Sequence, residues 1–341
     1  MFLISNCNEY TVAYFSDDPC KKSPCHLIYT QAPSGTSIAP LLRAMNQIII
    51  IFTLLFIATL STLAKGQETI KKQLEEKQPV LETKQTHLSF GFTYKHFNYN
   101  EDVNPPAKSS ELGNTPGFEI AINHRFSNNK NSLEGKGVLD FASGATAYDG
   151  SLQNSDTNEI TPYKSTTNNK FFNLEGDLIQ TFSAANENTS FLKGYAGLGI
   201  HTWERVLGGA GGYTEQYSWV YLPIGIQFVQ RASENFTLTL DGSIKLMFGG
   251  YLRANLSQAS SNYNDVEMKL GDKPGFKFQA PLDYRFASNY HFIATPWYEY
   301  SEIGKSDSVL GGISSSGPIL VSEPNSKTTS FGADLAFSVD F

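Results

Sequence analysis

The sequence predicts an all-β fold: a transmembrane, antiparallel, up-and-down β-barrel of about ten strands over residues 86–341. Three observations predict it. From Leu88 onward, large apolar residues fall on every second position. The alternating segments are joined in turn by short polar breaks and by long stretches rich in Asn, Ser, Gly and Pro. Only 17% of residues are charged, against roughly 25% in average soluble proteins, while the chain carries 24 Phe and 17 Tyr. That composition suits a half-buried β surface better than a helical bundle. A formal net charge of −7 with no basic stripe argues against nucleic acid as a partner.

The region before the barrel divides in three. Ile48–Leu60 is a run of about 13 mostly apolar residues, too short for a spanning helix of about 20. It is followed by the small-residue stretch Ser61-Thr62-Leu63-Ala64 and preceded by Met45. We read 45–64 as a cleaved signal peptide and 1–44 as a misassigned upstream extension. The n-region from Met45 lacks Lys and Arg, so an uncleaved anchor is the competing reading. Residues 65–85 are polar and helix-favouring until Pro79, and are expected to form a solvated periplasmic leader. All three cysteines, Cys7, Cys20 and Cys25, lie upstream of Met45. Cys20 and Cys25 could form half a metal site, but no second pair completes it. Neither a metal nor a cofactor is expected.

The segments then follow in order. Leu88, Phe90, Phe92 and Tyr94 alternate with Ser89, Gly91, Thr93 and Lys95. Phe118, Ile120 and Ile122 mark the second segment, Leu139 and Phe141 the third, and Phe172, Leu174 and Leu178 the fourth. Leu192, Ala196, Leu198 and Ile200 form the fifth, and Val220 to Phe228 the sixth. The seventh runs from Phe236 to Phe248, the eighth from Phe276 to Phe286, the ninth from Tyr290 to Tyr300, and the last from Phe331 to Phe341. Short breaks at 127–131, 184–189, 232–235 and 287–289 are expected to be periplasmic turns. The stretches 98–114, 149–169, 207–217, 254–273 and 304–327 are expected to be long extracellular loops. Aromatics near segment ends, among them Tyr94, Phe126, Trp219, Tyr251 and Tyr298, read as interfacial girdles.

The closing segment, Phe331-Gly332-Ala333-Asp334-Leu335-Ala336-Phe337-Ser338-Val339-Asp340-Phe341, resembles the C-terminal assembly signal of bacterial outer-membrane β-barrel proteins. In that signal a terminal Phe follows apolar residues at alternate positions, here Phe337, Val339 and Phe341. The resemblance covers 86–341 as a pattern and is specific to the class. It implies export, insertion by the barrel-assembly machinery, residence in the bacterial outer membrane, and contact with outer-membrane lipid and lipopolysaccharide.

With large apolar residues facing lipid, their neighbours face inward. The inward cations are Lys95, Arg125, Lys136, Lys193, Arg231, Lys245, Lys277 and Arg285. The inward anions are Glu119, Glu134, Asp140, Glu175, Asp177, Asp241, Asp283, Glu299 and Asp334. Near-balance of charge in so narrow a barrel predicts a lumen largely plugged by paired side chains. A narrow, gated path for ions or small solutes, as in a small porin, is the alternative.

No catalytic apparatus is recognised. Ten strands also occur in the omptin surface proteases, which use paired acidic residues and an Asp-His pair, but this chain has neither Asp-x-Asp nor Asp-x-His. His201 is the best single candidate for a barrel hydrolase, without sequence-identifiable partners. His96, His124 and His291 have still less context. The aromatic run Tyr213–Tyr221 reads as an outer belt or, through Tyr217 and Trp219, as a contact surface for an unidentified extracellular ligand. A structural or surface-interaction role is the leading expectation.

Overall fold

A computed structural model describes residues 3–6, 85–126, 132–154, 157, 159–186, 190–314 and 317–341. The proposed signal peptide, all but the last residue of the polar leader, and the cysteines lie outside the described residues. Among the described residues no helix is long and apolar enough to cross a membrane.

The barrel strands are β2 (Thr86–Glu101), β3 (Ser109–Arg125), β4 (Leu133–Gln153), β5 (Ile160–Asn186), β6 (Ser190–Leu207), β7 (Thr214–Arg231) and β8 (Phe236–Ala254). An eighth strand is interrupted at Ala280-Pro281 into β10 (Pro274–Gln279) and β11 (Leu282–Ala287). Proline has no N–H to donate to a ladder. Then come β12 (Tyr290–Ile303) and β15 (Ser326–Asp340). Each pairs antiparallel with the next, and β15 pairs with β2 from Ser326↔Glu101 to Asp340↔His87, closing a ten-strand barrel. The predicted architecture and strand order are observed.

Which face is apolar is read from exposure. Phe92 is 68% exposed and Ile226 is 65%, while Ser89, Thr93, Asp177, Asp241 and Asp334 between such positions are buried. A water-soluble barrel would reverse this, so the outer face is a lipid-facing belt. The belt ends near Tyr94 on β2 and begins at Phe331 on β15, which pairs opposite His96.

The expected long loops are corrected by the structure. A spanning strand needs about 9–11 residues, yet β5 has 27 and β4 has 21. The excess continues beyond the belt, so Asn98–Glu101, Ser109–Asn114, Asp149–Gln153, Ile160–Asn169 and Thr214–Tyr217 are strand, not loop. Asn100, Asn114 and Asn168 face outward into water, which is why these stretches read as loop, while Ser109, Ser151 and Asn169 are buried inside. The remaining far-end connections include a turn at Gly208–Gly212, where Gly209 and Gly211 take φ values of 86° and 71° that favour glycine. The span 255–273 holds a 3-10 turn (Leu256–Gln258) and a short strand, β9 (Val266–Lys269), paired to β8. The last connection carries a hairpin, β13 (Val309–Ser314) and β14 (Gly317–Ser322), with a four-residue strand β1 (Leu3–Asn6) antiparallel to β14.

Opposite Trp219, β8 carries an extra residue at Gly249-Gly250: Ser218 pairs with Tyr251, but Val220 pairs with Phe248. Gly249 has φ 66°, the left-handed conformation of a glycine bulge. The insertion flips the pleat, so Phe248 points out while Leu252 and Ala254 are fully buried inside.

Candidate functional site

Three levels can be distinguished inside the barrel. At the belt level, a cavity of about 290 Å³ remains, lined by polar and charged side chains. Lys95, Glu119, Lys136, Asp140, Glu175, Asp177, Lys245, Lys277, Glu299 and Asp334 all line it, as expected from their inward positions. Direct ion pairs are few. Lys245 Nζ lies 2.8 Å from Glu299, and Lys193 Nζ lies 2.9 Å from Glu134, which Arg125 Nε also reaches at 3.2 Å. Several other charges have neutral or aromatic partners, whereas Asp177 Oδ1 is buried without a hydrogen bond. Asp241 accepts from Tyr195, Gln227 and Gln279 at 2.8–2.9 Å. Tyr221 donates to Glu175 at 2.7 Å, and Trp297 Nε1 to Asp334 at 3.0 Å. Lys95 Nζ stands 3.8 Å over the Phe171 ring and Lys277 Nζ 5.7 Å from that of Trp297.

Two predicted cations are placed elsewhere. Arg285 donates to the Glu234 carbonyl at 2.7 Å in a turn, and exposed Arg231 lies over Phe191. Both sit at strand ends, where a long side chain reaches water more cheaply than the lumen. The expectation that paired charges plug the lumen is likewise corrected: ten strands leave space at this level.

The seal lies at the far end and was missed by sequence reasoning. Phe97, Tyr99, Phe171, Trp203, Tyr217 and Leu252 form a buried core there, joined by Ile319 and Val321 from β14. At its centre Arg205 is fully buried. It donates through Nε to Glu111, and through Nη1 to Glu215 at 2.7 Å and Glu101 at 3.4 Å. Glu111 also accepts from Thr146 at 2.8 Å and Asn169 at 3.0 Å, and Asn169 accepts from Trp203 Nε1 at 2.7 Å. Tyr99 and Tyr217 hydroxyls reach Glu323 at 3.2 and 2.9 Å, fastening the stem of the β13–β14 hairpin across the mouth. These groups lie beyond the lipid belt. Burial opposes the Arg205 charge, but Glu111 and Glu215 outweigh it and hold the guanidinium protonated. Burial, reinforced by the Glu101 and Glu215 charges, pushes Glu323 up to about 8.

Tyr217 and Trp219 are therefore not an outer belt. Tyr217 is 1% exposed within the core, and Trp219 stacks on His201 at 4.4 Å inside the barrel. Among the described residues, no acidic or hydroxyl side chain hydrogen-bonds His201. His96 faces outward against Phe331 and bonds Asn114, and His124 bonds Thr86.

At the short-turn end, inward side chains of four neighbouring strands, β11, β12, β15 and β2, meet. His87 Nδ1 lies 2.7 Å from Asp340 Oδ1, and His291 Nε2 lies 3.0 Å from Asp340 Oδ2. His291 Nδ1 is 2.7 Å from Asp283, and the two imidazole rings sit edge to face at 5.3 Å. Asp283 belongs to this cluster, not to the lumen network.

No family model and no curated protein matches the chain. Among solved structures, the outer membrane protease OmpT from Escherichia coli is similar at a TM-score of 0.51 and 13% identity, over 78% of this chain and 99% of that one. The translocator domain of the autotransporter NalP from Neisseria meningitidis covers 84% of this chain and 97% of its own at 9% identity and a TM-score of 0.38. The Pseudomonas putida toluene transporter TodX covers 75% and 90% at 8% identity and a TM-score of 0.35. At such identities the likeness to OmpT shows the fold alone, that of a bacterial outer-membrane β-barrel.

Proposed function

We propose that this chain resides in the bacterial outer membrane as a closed barrel, and that its far end serves a structural or surface-interaction role toward the environment. In this reading a cleaved signal peptide exports it, and the barrel-assembly machinery recognises Phe337, Val339 and Phe341. Lipid and lipopolysaccharide surround the belt, and the reading assigns no reaction to the barrel. The observation that carries it is the seal: an aromatic core with a fully buried Arg205–glutamate cluster, crossed by the β13–β14 stem, stands between the cavity and the far mouth. Desolvated charge held in a fixed hydrogen-bonded arrangement resists the hydration that ion passage needs.

A planar bilayer tests this. Refolded protein is expected to give little conductance, and steady nanosiemens channels would overturn the closed reading. The charge-lined cavity of about 290 Å³ favours a second reading, a narrow path gated by the hairpin. Under that reading, deleting 309–322 opens steady channels. Under the closed reading the deletion leaves the bilayer silent, because the Arg205 core still fills the mouth.

A further inference from the structure

We propose that His87, His291 and Asp340 form a binding site for one divalent transition-metal ion of the zinc type, clamping the seam where the barrel closes. The three residues come from β2, β12 and β15, consecutive strands around the closure, and all point inward at the short-turn mouth. One ligand atom from each lies within 4.8 Å of the others. Around a tetrahedral zinc, with bonds of about 2.0–2.1 Å, ligand atoms stand about 3.3 Å apart. The two His–Asp contacts, at 2.7 and 3.0 Å, are protonic bridges slightly shorter than that edge. The two contacts use different oxygens of Asp340, so a single ion seats by drawing His87 and His291 together over that carboxylate, from ligand atoms that already lie within 4.8 Å of one another.

The chemistry of the set selects the ion. Two imidazoles and one carboxylate favour zinc, copper or nickel over calcium and magnesium, which prefer all-oxygen shells. Three protein ligands leave a coordination position for water or a further ligand. The arrangement also has the orienting partner that metal-bound histidines characteristically show. Asp283 holds His291 Nδ1 at 2.7 Å and so presents Nε2 to the site. Side-chain exposures of 29% for His87, 25% for Asp340 and 12% for His291 leave the cluster reachable by an ion from the aqueous side. Backbone bonds in both directions between Thr86 and Phe341 fix the first and last barrel strands beside it.

The test uses the untagged, refolded full chain in detergent and zinc chloride as the probe, read by titration calorimetry near neutral pH. One ion per chain is expected. His87→Ala and His291→Ala should each weaken binding at least tenfold, and Asp283→Asn, a positioning change, by about 10–100-fold. His124→Ala, at the same end but outside the cluster, should leave affinity unchanged. Heat-dependent gel mobility confirms that each variant is a folded barrel. Absence of saturable one-to-one binding overturns the proposal, as does unchanged affinity in a folded His87→Ala/His291→Ala double variant. Zinc-edge X-ray absorption on the unaltered chain needs no variant to fold: scattering from two imidazoles supports the site, and from fewer than two sinks it.

Discussion

Strand β2 is dressed in opposite ways along its length. In its first half Phe90, Phe92 and Tyr94 point outward, and Ser89 and Thr93 are buried inside. In its second half Asn98 and Asn100 point outward, and Phe97 and Tyr99 are almost wholly buried inside. The pleat is unbroken between them, so the backbone fixes only that successive residues alternate. The medium outside decides which face is apolar. Lipid outside the belt permits a wet, charge-lined interior; water outside the far half requires a dry one. A single sheet thus contains a membrane barrel and, continuous with it, something built like a soluble barrel with a core.

Three changes can break or sharpen that contrast. Replacing Arg205 by Met should have the largest effect, about 3–5 kcal/mol, because Glu111 and Glu215 would be left buried beside an uncharged partner. Amide exchange should show the far-half strands losing protection while belt-level strands keep theirs; equal loss in both halves would mean they are not distinct. Next, Phe92→Arg on the lipid face should cost about 2–4 kcal/mol in a vesicle refolding equilibrium. Asn98→Arg, three pleats further along the same outward row, should cost less than about 1 kcal/mol. Equal penalties would place both positions in the same medium. The third change concerns Glu323, whose value is raised to about 8. Its native form keeps a proton that the unfolded chain releases. Stability is therefore full below the ordinary carboxylate range and declines as pH rises through about 8. Glu323→Gln should flatten that decline in far-half exchange; an unaltered slope would assign it to another group.

The belt was legible in sequence because each spanning segment repeats one signal, a large apolar residue at every second position. The far half was not, because its outward Asn and Ser residues are the ones that also build loops. The opposite signal was present nonetheless: Phe97, Tyr99 and Glu101 continue the period of β2, and Tyr213, Glu215, Tyr217, Trp219 and Tyr221 keep that of β7. Read as alternation rather than as aromatic content, they place Tyr217 inside. Leu252 was harder, since extending the period of β8 puts it on the lipid side, and only the bulge at Gly249 reverses it. Ten of the charges that parity assigns to the inward face line the cavity. Their partners were not legible, because hydrogen bonding by Tyr195, Tyr221 and Trp297 depends on which strands lie across the lumen. The cluster at the short-turn mouth assembles His87 with Asp340 and His291, and no local spacing could join them.

The seam that brings His87 to Asp340 also sets an order of events. Every other pair of neighbouring barrel strands is consecutive along the barrel path, whereas this contact spans 253 positions of the chain. Closing so long a loop carries an entropy cost that local hairpins avoid, and topologies rich in such contacts fold slowly. Strand β2 is the first barrel strand made and must wait for the last, with its edge unpaired meanwhile and open to the wrong neighbour. The pairing of β15 with β2, rather than the readiness of any single hairpin, thus completes the barrel.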